Sequence, residues 1–228
     1  MQTEIRHNPD FGIVRVQFDQ PGEEILTEAG AMVARDTAVQ MRTNMQGGFG
    51  SALKRKLIGG ESIFQNTFTA TAPGQSIWFA PPSEGTIESV AITEGMELFL
   101  QSGAYLASTP GVVLDTKWQG AKGFFAGGLF LLRAYGRGQL WFASYGGLHT
   151  VDVGQKYYGY VVDNSHMVAF TNGLTYNVRR VGGLKSLFLS GEGVVCDFNG
   201  NGRVWIQTRN PASLAAFLHP FRSVGGGH

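Results

Sequence analysis

The chain has 228 residues, of which 43% are hydrophobic and 15% are charged, so it can bury a sizeable core while carrying few surface charges. Its formal net charge of +1 argues against nucleic acid or an anionic membrane as a partner, because there is no global field to attract either. A single cysteine, Cys196, excludes an internal disulfide and fits a reducing cytoplasm.

Residues 1–6 contain neither an apolar segment nor an Arg/Ser-rich amphipathic one, and no run approaches 18 apolar residues. We therefore expect no import signal, no transmembrane segment and a cytoplasmic protein.

Short apolar strands joined by turns follow one another along the chain. Residues 14–18 alternate between apolar and polar side chains, which is typical of a strand buried on one face. Pro21–Gly22 then predicts a turn, because proline presets φ and glycine accepts a positive φ. Two kinds of apolar strand recur after it, at residues 31–34 and 39–41, 105–107 and 112–114, and 167–169 and 176–178. These patterns predict an all-β fold.

Three stretches share one pattern, in which a lysine precedes a glycine by six residues and a tryptophan strand follows. Their residues are Lys54, Gly60 and Trp78; Lys122, Gly128 and Trp141; and Lys185, Gly191 and Trp205. The tryptophans are 63 and 64 positions apart (141−78 and 205−141). We therefore predict one domain over residues 1–222 with three internal repeats, at about 25–80, 97–143 and 158–207. The first repeat is longer, and we place its insertion at residues 46–51.

Two segments predict helix. Residues 51–57 fit about two turns behind Ser51, and residues 211–218 fit a C-terminal helix with Asn210 as N-cap and Pro211 at the first position. We expect the C-terminal helix to cover an open end or edge of the sheets. Residues 223–228 are expected to be a flexible tail.

Residues 47–64 read Gly-Gly-Phe-Gly-Ser-Ala-Leu-Lys-Arg-Lys-Leu-Ile-Gly-Gly-Glu-Ser-Ile-Phe. With the tryptophan copies and the Asn–Pro helix, they resemble the altered-inheritance-of-mitochondria protein 24 family, long labelled domain of unknown function 124, over about residues 4–220. The resemblance implies repeated double-stranded-β-helix-like units, similar to the fold of the tryptophan-dependent RNA-binding attenuation protein. It also implies a closed homo-oligomer, such as a trimer. Eukaryotic members are linked to mitochondrial inner-membrane organisation, whereas this chain is expected to be a bacterial-type homologue. The family has no established catalytic residues, so none is assigned.

The three matched lysines are the sharpest candidates for a ligand site. If the repeats surround a pseudo-threefold axis, Lys54, Lys122 and Lys185 lie at one end beside Gly-rich turns, where they could bind an anion or an acidic partner. The alternative is that each lysine is a solvated residue at a strand end.

The matched glycines and tryptophans are interpreted as structural. The glycines predict turns and not a phosphate loop, because the Gly-x-x-x-x-Gly-Lys-Ser/Thr spacing is absent. The tryptophans have apolar neighbours on both sides, which favours core or interface packing over a platform that stacks bases.

Catalytic and metal chemistry find no support in the sequence. The five histidines are isolated, no nucleophile motif is present, and Cys196 lies in an apolar strand where we expect a small buried hydrophobe. We predict no metal, no cofactor and no enzyme.

The sequence therefore predicts a structural or interaction module that self-associates as a scaffold, with a protein partner that it does not identify. The alternative is a small-ligand or anion-binding protein that uses the Lys/Gly ends of the repeats. A metal-dependent enzyme on a β-helix scaffold is the third and least favoured interpretation.

Overall fold

The computed structural model describes residues 1–45, 64–115, 131–155, 158–180 and 194–222. These residues form an all-β protein with one short C-terminal α-helix, as the sequence predicts. Among them, no helix has the length and apolarity needed to cross a membrane.

The strands fall into three successive sets of six. After β1 (Gln2–Arg6), the first set is β2 (Ile13–Gln17), β3 (Glu24–Glu28), β4 (Met32–Arg35), β5 (Gln40–Met45), β6 (Phe64–Thr69) and β7 (Ser76–Phe79). The second set is β8 (Ile87–Ile92), β9 (Leu98–Gln101), β10 (Tyr105–Ser108), β11 (Val112–Asp115), β12 (Leu131–Gly136) and β13 (Gly138–Ala143). The third set is β14 (Leu148–Val153), β15 (Gly159–Asp163), β16 (Met167–Thr171), β17 (Leu174–Arg180), β18 (Val194–Gly200) and β19 (Gly202–Gln207).

All three sets use the same antiparallel pairing. The sixth strand lies between the first and the third, as in β2–β7–β4, β8–β13–β10 and β14–β19–β16. The fifth strand lies between the second and the fourth, as in β3–β6–β5, β9–β12–β11 and β15–β18–β17. Each set therefore contributes two three-stranded sheets, and β1 adds one strand at the edge of β2.

The register is also shared between the sets. The tryptophan of each sixth strand faces an alanine of the third strand, in the pairs Trp78 with Ala34, Trp141 with Ala107, and Trp205 with Ala169. The third strand has a register shift just before that alanine in every set. The same irregularity of pairing, of the kind that a β-bulge produces, therefore recurs three times.

Neighbouring sets join edge to edge. The second strand of one set pairs with the third strand of the next, as β3 does with β10 and β9 does with β16. These two contacts merge the three-stranded sheets into two six-stranded sheets, leaving a four-stranded sheet that contains β4 and a three-stranded sheet that contains β15.

The core follows the same succession of sets. Three clusters of buried side chains lie along the molecule, and Leu106, Ala107 and Trp141 of the second set belong to the cluster of the first. Likewise Val168, Ala169 and Trp205 of the third set pack in the cluster of the second. Side chains of neighbouring sets are thus buried against each other at each join, so apolar packing stabilises the joins together with the backbone hydrogen bonds.

The C-terminal helix α1 (Pro211–Leu218) begins as predicted. The side chain of Asn210 accepts a hydrogen bond from the backbone N–H of Ser213, and Pro211 occupies the first turn, where its missing N–H costs nothing. The expected packing is wrong, however, because none of the helix residues is buried. A short 3₁₀ turn, His219–Phe221, follows it. The helix at 51–57 and the insertion at 46–51 lie outside the described residues.

Candidate functional site: the open strand edges

The three tryptophans predicted from the sequence have two different environments. Trp141 and Trp205 are buried, and each meets an aromatic ring of the preceding set edge-on. The ring centroids are 6.1 Å apart for Phe79 and Trp141, and 5.7 Å apart for Phe142 and Trp205. These two tryptophans therefore pack in the core, as predicted, and their aromatic contacts lie at the joins between sets.

Trp78 has no preceding set to pack against. It is only half-buried, and the guanidinium groups of Arg6 and Arg15 lie 5.2 and 5.7 Å from its ring centroid. Cation–π contacts of this kind at a partly exposed site contribute about 0.5 to 1 kcal/mol, less than full burial of an indole against another ring. Among the described tryptophans, Trp78 is therefore the one without an aromatic ring of a preceding set packed against it.

The third strand shows the same contrast more strongly. Every residue of β10 is buried, and so are the first four residues of β16, because each of these strands pairs with the preceding set. In the first set every residue of β4 is exposed, with Met32 at 38% and Val33 at 57% relative exposure. Leu106 and Val168, which stand at the position of Val33, are 1% and 0% exposed. β4 therefore exposes to solvent the apolar positions that its counterparts bury at a join between two sets, as expected of an interaction surface.

The opposite end of the molecule has a complementary open edge. Among the described residues, the second strand β15 pairs with β18 alone, whereas β3 and β9 also pair with a following set. Val161 in this strand is 53% exposed, while Phe99 at the same position of β9 is 6% exposed. Among the described strands, β4 and β15 alone are edges in one set and internal in the other two.

Sequence reasoning did not identify β4 and β15 as special. Their residues carry the same apolar pattern as their counterparts, so no local signal separates Val33 from Leu106 or Val168. A usable signal was the number of strand sets, since three sets that join through their second and third strands leave one third strand and one second strand at sheet edges.

The lysine and glycine positions stay predictions. Lys54, Lys122 and Lys185, with Gly60, Gly128 and Gly191, all lie outside the described residues. The structure therefore does not place them relative to the open edges.

A buried polar cluster occupies the join between the first and second sets. The hydroxyl of Tyr105 accepts a hydrogen bond from Gln65 Nε2 at 2.8 Å and lies 3.0 Å from the Ser108 hydroxyl. Burial raises the pKa of Tyr105 to about 12 and that of nearby Glu28, which is half-buried, to about 7. The sequence contains no visible signal for this cluster.

Groups suited to catalysis or metal binding are sparse in the described residues. No cluster of three or more His, Cys, Asp or Glu side chains could hold a metal ion in that part of the chain. Cys196 is fully buried as predicted, and its thiol lies 3.5 Å from Asn164 Oδ1. Desolvation raises the pKa of this thiol to about 12, so it stays protonated and a poor nucleophile at neutral pH.

Comparison with known proteins gives consistent matches over nearly the whole chain. A family model described as mitochondrial biogenesis AIM24 matches residues 3–209. An uncharacterized protein of Streptococcus pyogenes serotype M6 is 29% identical over 229 residues, which span 96% of this chain and 90% of the relative. The X-ray crystal structure of a Streptococcus pyogenes protein matches with a TM-score of 0.78 and 26% identity, covering 97% of this chain and 99% of that chain. The family resemblance inferred from the sequence is thereby confirmed, and the chain belongs to the mitochondrial biogenesis AIM24 family.

Proposed function

We propose that this protein is a self-associating scaffold, in which the three strand sets act as internal repeats of a double-stranded-β-helix-like array. The observation that carries the proposal is the exposure of β4, since its counterparts β10 and β16 are buried by the set that precedes them. The missing preceding set is supplied by a second copy of the chain. We place this assembly in the cytoplasm.

The proposed contact is head-to-tail, with β4 of one copy against β15 of another. The two joins within the chain share one register, in which the third-strand alanine faces the penultimate residue of the preceding second strand; the pairs are Ala107 with Thr27 and Ala169 with Leu100. On the same register, Ala34 faces Val162 of a second copy, and Arg35 faces Val161. Both partners are extended strands that lie at the edge of a sheet in the described part of the chain, which is the usual arrangement for β-strand addition.

Side-chain packing supports the same arrangement. The residue after the sixth-strand tryptophan is Phe79, Phe142 or Ile206, and the first two of these pack against the tryptophan of the following set. In the head-to-tail contact, Ile206 of one copy meets Trp78 of the next. Both side chains are half-buried within one chain, so the contact removes further apolar surface from water.

Such a contact uses two different surfaces, so its repetition gives a ring when the rotation closes and a filament when it does not. A trimer is one closed form. The predicted anion site at the lysines is a separate proposal, and self-association does not depend on it.

The test uses two charge substitutions on the two edges, Val33→Lys on β4 and Val161→Lys on β15. A lysine in a strand edge opposes edge-to-edge pairing, so each variant alone should be a monomer in sedimentation or native mass measurements, whereas the parent protein should show multiples of 24.6 kDa. Val113→Lys on β11 is the control, because Val113 is 44% exposed on an edge strand outside the proposed contact.

Mixing the two variants distinguishes head-to-tail from symmetric contact. Val33→Lys retains an intact β15, and Val161→Lys retains an intact β4, so a mixture should form one-to-one dimers and no larger species. A parent protein that is monomeric at all concentrations would refute self-association. A Val161→Lys variant that still assembles alone would refute β15 as the partner edge.

A further inference from the structure

A pocket of about 340 Å³ lies between the second and third strand sets, at the end where β13 and β19 finish. Its walls come from the ends of these two strands, from 3₁₀ turns at Ser102–Ala104 and Asn164–His166, and from the first turn of α1. This volume falls in the range of about 300 to 1,000 Å³ that is usual for small-molecule sites.

The described residues that line the pocket include no Asp, Glu, Lys, Arg or His. Apolar walls come from Pro81, Ala104, Ala143 and Pro211. A charged ligand would therefore lose its hydration without gaining a counter-charge, whereas an uncharged ligand avoids that cost.

Polar groups in the walls are free to bind. Asn164 is only 6% exposed, and its Oδ1 faces the thiol of Cys196 at 3.5 Å, which leaves the amide nitrogen for the pocket. Within the described part of the chain, neither this nitrogen nor the side-chain amide of Gln101 makes a hydrogen bond. Ala212 adds a backbone N–H from the first turn of α1, where no intrahelical partner exists. Neither side-chain amide is a buried unsatisfied group, because in the described residues only Arg133 Nε is one, so both are open to solvent in the pocket and can exchange a bond to water for one to a ligand.

One residue of the pocket wall is particular to the third set. Gln207 stands two residues after Trp205, at the position that Ala80 and Ala143 occupy in the other sets. Its Oε1 accepts a hydrogen bond from the backbone of Tyr145 at 2.9 Å, and its Nε2 donates to the carbonyl of Ser165 at 3.2 Å.

These two bonds tie β19 to both walls, and the first turn of α1 borders the pocket where the other sets continue into a new first strand. The walls are thus pre-organised, which lowers the ordering cost of binding a ligand.

We propose that this pocket binds an uncharged small molecule of about the size of a monosaccharide, which offers hydroxyl or amide groups to Asn164 and Gln101. None of the described residues that line the pocket belongs to β4 or β15. The pocket would give the scaffold a ligand-binding function.

The test uses N-acetylglucosamine as probe, observed by saturation-transfer NMR. This sugar is uncharged, carries hydroxyl and amide groups, and has about 15 non-hydrogen atoms, a size for which millimolar affinity is expected. Glucosamine, with a protonated amine, and glucuronate, with a carboxylate, are the charged comparators and should bind at least about tenfold more weakly.

Two variants locate the binding. Gly103→Leu places a side chain at the pocket where a Cβ would meet no heavy atom within 4 Å, so it should abolish binding without a clash. Gln101→Ala removes an amide that has no described partner and should weaken binding about fivefold. Gln155→Ala, at an exposed position outside the pocket, is the matched control.

The proposal is overturned by any of three results. These are no saturation transfer to N-acetylglucosamine up to about 50 mM, undiminished binding in both pocket variants, or equal binding of the charged comparators. If Gly103→Leu lowers the melting temperature, Gln101→Ala decides the location. Because Val33→Lys lies on β4 and not in the pocket, a monomeric Val33→Lys protein should still bind, which separates this proposal from self-association.

Discussion

Replacing Glu28 by glutamine should make the protein more stable at alkaline pH. Glu28 ends β3 at the join between the first and second strand sets, and it is half-buried close to the buried Tyr105. Within the described residues, its carboxylate makes no hydrogen bond or ion pair. Desolvation raises its pKa from 4.5 to about 7, because burial disfavours the charged form.

The sign of the effect follows from proton binding. Between pH 4.5 and about 7, the folded state binds more protons at Glu28 than the unfolded state does, so the free energy of unfolding falls as pH rises through this window. One pKa unit corresponds to about 1.4 kcal/mol, but solvent reaches a half-buried carboxylate and screens part of the effect. We therefore expect the ionised carboxylate to cost about 1 to 2 kcal/mol at pH 8.

Urea unfolding of the parent protein and Glu28→Gln at pH 5 and pH 8, at one protein concentration, measures this difference. Glutamine has nearly the same shape and no charge, so the variant should gain about 1 to 2 kcal/mol at pH 8 and much less at pH 5. Glu94→Gln, at an exposed site, controls for the loss of one negative charge. Equal stability of Glu28→Gln and the parent at both pH values would refute the reasoning, as would a gain confined to pH 5.

Two further predictions concern the joins and the core. Gly85→Ala should lower the free energy of unfolding by about 1 to 3 kcal/mol or more, because the added Cβ would lie 2.0 Å from the Ser144 carbonyl oxygen. Calorimetry that finds an unchanged melting temperature would contradict this expectation. The Cys196 thiol is fully buried and its pKa is raised to about 12, so it should not react with Ellman's reagent at pH 8 in the native protein. In urea it should react once per chain, and rapid labelling of the native protein would instead show that the strand opens.

Much of the strand structure could be predicted because its signals are local. Alternation of apolar and polar residues over 14–18 reflects the two-residue period of a strand, and β2 spans Ile13–Gln17. The spacing of Trp78, Trp141 and Trp205 likewise matches three equivalent positions, each opposite an alanine. The cap and proline of α1 were also visible, since a helix start depends on a few adjacent residues.

The candidate sites could not be read in this way. The pocket needs Gln101, Asn164 and Gln207, which belong to three separate stretches and come together only through the join between sets. The high pKa of Glu28 depends on desolvation by its surroundings, and a residue pattern does not report desolvation.

The third strand of each set shows most clearly that the apolar pattern is set by the sequence and the burial by the tertiary structure. Val33, Leu106 and Val168 occupy one position in one apolar pattern, so the sequence alone determines that each lies in a strand with an apolar face. Only the assembled fold decides that two of them are buried and Val33 is exposed, because burial depends on whether a preceding set covers the strand. The local periodicity determines which face of the strand is apolar, whereas the strand that covers this face and removes it from water comes from another part of the fold.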